Sequence, residues 1–260
     1  MSPSPDTPPA VPERVETGQA APVPVAGGIS LLAAALAAGL LSALVAGIGA
    51  TYDSVKEADG LARVDRPMLD WMIGHRSPTL DSVVTAFTNI GGPTLLPIIA
   101  TIVTVLLAWR WRSWTPVAFM LVATAGSLAM TAAGKDLAAR VRPPHSLAVP
   151  PLENSPSFPS GHTLNSTVIA IVLSYLVVLH VENRRARTSV ITALAVYAMA
   201  MGLSRVFLGH HWFTDVVAGW VAGVAWGLAV VFAHRLLLAL QRQRHEQHQR
   251  HPHGTSQPVE

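Results

Sequence analysis

The chain has 260 residues, half of them hydrophobic and only 13% charged, with a formal net charge of +3 at pH 7. An average soluble domain carries roughly 25% charged residues, so a membrane is the expected solvent. The basic residues are spread over short loops and tails without the stripe and interleaved aromatics that bind nucleic acid, and the absence of cysteine excludes a disulfide framework, a thiolate metal site and a thiol nucleophile.

Residues 1–28, rich in Pro, Ala and Val, have too little to bury and are expected to form a disordered cytoplasmic tail. Uncharged runs then cover 29–50, 82–109, 113–134, 161–181, 188–204 and 216–234. Each approaches the roughly 17–25 residues of a spanning helix. Residues 29–238 are therefore expected to form an all-α, polytopic membrane domain with six transmembrane helices. The first run lacks the basic start and short apolar core of a secretory signal and is expected to be retained. Within the polar stretch 52–81, the amphipathic segment 67–73 places Trp71 and Met72 where an interfacial helix in the first outer loop would want them; packing on its own bundle is the plainer alternative. The stretch 89–93, Asn-Ile-Gly-Gly-Pro, begins or breaks the second span. Residues 239–260 are expected to be a basic, His-rich cytoplasmic tail, and His245-Glu246-Gln247-His248 lacks the i, i+4 histidine pair of a zinc-protease helix. No metal or other cofactor is expected.

With a cytoplasmic amino terminus, these spans put Arg110 and Arg112, then Arg184, Arg185 and Arg187, then Arg235, Arg242, Arg244 and Arg250 on the inner side, as the positive-inside rule requires. Both termini are then cytoplasmic. Trp109, Trp111, Trp114 and Trp212 fall at span ends, as an aromatic belt would.

Charged and polar residues gather at span ends in three clusters. Lys135 is followed by Arg142-Pro143 at the spacing K-x6-R-P; Pro159-Ser160-Gly161-His162 opens the fourth span; Ser204-Arg205, His211 and Asp215 follow the spacing S-R-x5-H-x3-D. Span parity puts all of them on the extracytoplasmic face. Cations near buried helix ends want an anion, and Arg142 and Arg205 can each fork two N–H groups onto a phosphate while Lys135 adds a point charge. Ser160 and the Gly161 amide lie at a helix amino terminus, where unpaired amides and the helix dipole favour phosphate. His211 and Asp215, four apart, would share one face of a helix, leaving the carboxylate to hold Nδ1–H and the other ring nitrogen free to attack. His162, from another helix, is placed to protonate a leaving oxygen and then take a proton from water.

These clusters resemble the three-part signature of the type 2 phosphatidic acid phosphatase superfamily, which also includes vanadium-dependent haloperoxidases and glucose-6-phosphatase. The resemblance covers roughly residues 29–238, and no signature position departs from it. It implies a six-helix bundle, a phosphohistidine on His211, acid–base work by His162, orientation by Asp215, and phosphate binding by Lys135, Arg142, Ser160, Gly161 and Arg205. The expected activity is metal-independent hydrolysis of a membrane lipid phosphate or diphosphate such as phosphatidic acid, phosphatidylglycerol phosphate or undecaprenyl diphosphate. Transfer of the phosphate to an acceptor alcohol, haloperoxidase chemistry, and an inactive scaffold or transporter are the alternatives. Outside the signature, Arg140 either touches substrate or is a solvated loop charge, and His145 and Glu153 either line the entrance or sit in a plain exposed loop.

Overall fold

The computed structural model describes residues 39, 42–43, 45–57 and 59–250. The expected tail 1–28, most of the first run and residues 251–260 lie outside the described residues. Residues 45–57 are helical (α1) and lead through a 3-10 turn, Gly60–Val64, into α2 (Asp65–Gly74). The remaining helices are α3 (Pro78–Ile90), α4 (Leu95–Trp111), α5 (Thr115–Ala138), α6 (Gly161–His180), α7 (Arg184–Phe207) and α8 (Phe213–Arg250). No strand occurs among the described residues, as the all-α reading expects. The last helix continues through residues 239–250 of the expected tail.

Local signals explain the boundaries. Ser77 caps α3 by accepting from Leu80 N–H, with Pro78 at the first helical position. Asn183 accepts from the Arg185 and Ala186 amides at the start of α7. The uncharged run 82–109 is not one straight helix: it breaks at Gly91-Gly92-Pro93, and α3 and α4 meet at 49°. Proline cannot donate to the helical ladder and glycine favours it little, so a bend falls there. Helices α5, α6, α7 and α8 are each long and apolar enough to cross a membrane, and the bent α3–α4 pair passes the same test together. The amphipathic segment is helical where expected, as α2, with Leu69 and Asp65 buried against the bundle and Trp71 57% exposed.

Helix α6 is the centre of the bundle, touching α5, α7 and α8. Leu164, Val168, Val172 and Leu176 recur at four-residue intervals along it and are fully buried. Opposite them, α8 presents Gly219 and Gly223 to Thr163 and Thr167; a Cβ at these glycines would stand 2.9 and 2.7 Å from the threonine Cβ atoms. The two backbones therefore approach as small-residue membrane interfaces do. This contact brings the amino terminus of α6 beside that of α8, where the Ser160 amide donates to the Asp215 carbonyl at 3.0 Å.

Candidate active site

The chain between α7 and α8 turns at Gly209, whose φ of 72° is a left-handed conformation that a side chain resists; a Cβ there would lie 2.5 Å from the Leu147 carbonyl oxygen. The turn lets both the His210 and His211 amides donate to the Arg205 carbonyl, at 3.0 and 3.2 Å. His211 thus precedes α8, which begins at Phe213. Its pairing with Asp215 is not the helical i, i+4 contact expected from the sequence. Asp215, in the first turn, reaches back instead: Oδ2 accepts from Trp212 N–H at 2.9 Å, from the Ser157 hydroxyl, and from His211 Nδ1 at 3.3 Å.

The other His211 nitrogen defines the tautomer. Nε2 lies 3.1 Å from Arg142 Nη1, and arginine has no acceptor, so Nε2 carries the lone pair and Nδ1 the proton. Burial, with Arg142 and Arg205 nearby, holds this imidazole well below the usual histidine range and keeps it neutral. The adjacent His210 points elsewhere: its Nε2 donates to the Val149 carbonyl at 2.6 Å.

Lys135, Gly161, His162, Arg205 and His211 line a single cavity of about 860 Å³. Its polar end lies against these groups. The rest descends between α4 and α5 past Leu96, Ala100, Val105, Met120, Leu121 and Val117. From Thr131 to Val117 the lining follows α5 for about 20 Å at the helical rise. Arg142 stands at the side, donating to the His210 carbonyl at 2.5 Å, and lines a second, outer cavity of about 440 Å³. Ser160 and Asp215 are fully buried behind the cavity wall. Ser160 accepts from Thr163 at 2.9 Å, and no side chain caps the amides at the start of α6. The Nε of Arg205 is buried without a partner among the described residues. The structure therefore gathers all eight predicted residues at one end of the bundle.

Two residues depart from their plain readings. Arg140 is not a solvated loop charge: its side chain is 14% exposed and bridges Asp215 Oδ1 at 2.5 Å and Asp65 Oδ2 at 2.6 Å. Glu153 is not a plain exposed loop residue either, since its carboxylate pairs with Arg205 and, at 2.8 Å, with Arg142. Burial alone would raise this carboxyl, but Arg205 and Arg142 outweigh it and hold it at about 2. His145, by contrast, is exposed.

Some partners were absent from the sequence reading. Asp65 on α2 accepts from Thr214 N–H at 2.8 Å and from its hydroxyl at 2.7 Å. Ser157 bonds Asp215, and Lys135 donates to the Ser155 hydroxyl at 2.9 Å and to the Pro156 carbonyl at 2.5 Å. Arg205 also donates to Thr88 at 3.1 Å. The closeness of Arg140 to Arg142 was the one available signal; nothing local marks Asp65, 149 positions before its partner Thr214.

Apolar helices long enough to span, with a cation cluster and an oriented histidine gathered at one end, define the class as a helical membrane protein. The comparisons agree. The PAP2 superfamily profile matches residues 116–237. Phosphatidylglycerophosphatase B of Bacillus subtilis (strain 168) is 34% identical over 151 residues, which cover 57% of this chain and 72% of that protein. The crystal structure of a transmembrane PAP2 type phosphatidylglycerolphosphate phosphatase from Bacillus subtilis superposes with a TM-score of 0.69 at 25% identity, covering 75% of this chain and 96% of that one. Aquifex aeolicus LpxE shares the fold, with a TM-score of 0.52 at 23% identity over 65% of this chain and 94% of its own. The chain belongs to the PAP2 superfamily, as the three clusters imply.

Proposed function

We propose that this protein is an integral membrane phosphatase that removes phosphate from a lipid phosphate or diphosphate at the extracytoplasmic face, through a phosphohistidine on His211. One observation carries the reading: His211, with its unprotonated Nε2 turned toward Arg142, lines a cavity that is cationic at one end and lined mainly by apolar residues over about 20 Å beyond it. A lipid phosphate has the same two-part character.

Lys135, Arg142 and Arg205 neutralise the bound phosphate, with the Gly161 amide at the α6 terminus adding a donor. His211 Nε2 attacks phosphorus, and the bond to the lipid oxygen breaks as His162 supplies a proton to it. Asp215 holds Nδ1–H and stabilises the positive charge that develops on the ring. Water, losing a proton to His162, then attacks the phosphohistidine, releasing inorganic phosphate and restoring His211. Ser160 supports this site by fixing the start of α6 against Asp215.

Among the described residues no group of three or more His, Cys, Asp or Glu could hold a metal ion, and hydrolysis is proposed to be metal-independent. The first run and the bent α3–α4 pair would complete six spans with both termini cytoplasmic. The B. subtilis relatives make phosphatidylglycerol phosphate the first substrate to try.

Purified protein in mixed micelles should release inorganic phosphate from phosphatidylglycerol phosphate, phosphatidate or undecaprenyl diphosphate in the presence of EDTA, and vanadate should inhibit. Absence of turnover on all three, dependence on added magnesium, or appearance of phosphate on an acceptor alcohol would each overturn a stated part of the reading.

A further inference from the structure

Glu153 stands where a substrate phosphate is expected. Its Oε1 pairs with Arg205 and its Oε2 with Arg142, so one carboxylate occupies both guanidinium groups of the cation site. It also lines both cavities, the large one that holds His162 and His211 and the outer one that holds Arg142. Its side chain is 31% exposed, although it lies between two arginines exposed 7% and 2%. The carboxyl is held at about 2 by those arginines and is ionised throughout the neutral range.

A permanent negative charge inside an anion site does not favour anion binding in general; it discriminates among anions. A phosphomonoester carries about −1.5 to −2 at pH 7 and can replace the carboxylate on the arginines. A diphosphate brings a second phosphoryl group and further charge into the same space. The groups around Asp215 offer no relief, because Arg140 is already shared between Asp65 and Asp215. Among the described residues, Lys135, bonded to Ser155 and Pro156, is the remaining cation on the wall of the large cavity.

We infer that Glu153 is a specificity-determining residue that selects lipid phosphomonoesters over lipid diphosphates by setting a fixed negative charge against the second phosphoryl group. The inference rests on the phosphatase reading and narrows its substrate class. Two unit charges about 6 Å apart, in the effective dielectric of ~20 that suits such sites, change binding on the order of 100-fold, and solvent at the exposed edge of Glu153 reduces this toward tenfold.

The test measures kcat/KM for phosphatidylglycerol phosphate and for a polyprenyl diphosphate with the unaltered protein, Glu153→Gln and Glu153→Asp. The unaltered protein should prefer the monoester. Glu153→Gln should lower that preference at least tenfold, with diphosphate turnover gaining relative to monoester, whereas Glu153→Asp, which keeps the charge, should retain it. A second measurement covers a Gln variant that is poorly active: pyrophosphate binding relative to inorganic phosphate, read by calorimetry in detergent on His211→Ala with and without Glu153→Gln, should rise by a similar factor. An unchanged ratio in both measurements, or an initial preference for the diphosphate, overturns the inference while leaving the phosphatase reading intact. Failure of the unaltered protein to hydrolyse either lipid or phosphatidate overturns the phosphatase reading itself.

Discussion

Arg140→Met isolates the contribution of the buried ion cluster behind His211. Arg140 is held by Asp215 Oδ1, Thr214 Oγ1 and Asp65 Oδ2 at 2.5, 2.8 and 2.6 Å, and the two carboxylates it joins are 5% exposed or less. Methionine keeps most of the apolar volume and removes the charge, leaving both carboxylates without their shared counter-ion. Removing one partner of a buried pair costs about 3–5 kcal/mol, and the slight exposure of Arg140 favours the lower end. The effect on rate has a different origin. Oδ2 keeps Ser157, Trp212 N–H and His211, so the carboxylate stays near the ring but loses the contact that fixes its rotation. A misplacement of about 1 Å in a catalytic group lowers the rate by roughly 10²-fold, and kcat should fall by that order with KM changed far less. Asp65→Asn combined with Arg140→Met removes one of the stranded charges and should recover thermal stability without recovering kcat. The assay is phosphate release alongside thermal unfolding in the same detergent. Arg140→Met with normal kcat and normal stability, or recovery of kcat in the double variant, would refute the view that this cluster orients Asp215.

Further outcomes follow from the same geometry. His211→Ala should abolish turnover and leave no phosphorylated chain, while His210→Ala, whose ring faces the Val149 carbonyl, should keep much of the rate; acid-labile label mapping to His210 would reverse the assignment. Stability should fall as pH drops from 6.5 toward 4, because burial beside Arg205 holds His210 at about 4 and the unfolded chain then binds a proton that the folded one does not. Thermal midpoints across that window should depend less on pH in His210→Ala, and an equal slope in both proteins would exclude His210 as the cause. Ser146 and Ala186 are both exposed, and the proposed topology puts them on opposite faces. Ser146→Cys should react with an impermeant thiol reagent on intact cells and Ala186→Cys only after permeabilisation, the opposite pattern placing the site in the cytoplasm.

Much of this molecule is legible in one dimension because its strongest signals are local. Apolar runs mark helices wherever a membrane excludes charge, and Lys135, Arg142, Arg205, His162, His211 and Asp215 stand out because charged and titratable groups at apolar helix ends need a reason. The breaking power of Gly91-Gly92-Pro93 is likewise local, and the structure chooses between the two expected roles by placing a 49° bend inside the run. The sequence does not say how Asp215 reaches His211. Four-residue spacing suggests a shared helical face, whereas the chain turns at Gly209 and the helix starts later, so the carboxylate caps its own helix and meets the ring from there. Nor does it disclose that Asp65 and Arg140 lie behind that carboxylate, or that Glu153 takes up the two arginines in front of it. Most of those pairings join residues far apart in the chain, 52 positions for Arg205–Glu153 and 75 for Arg140 with either aspartate. They exist because Gly219 and Gly223 let α8 close onto α6 and bring separate loops to one end of the bundle, where buried charges must find partners.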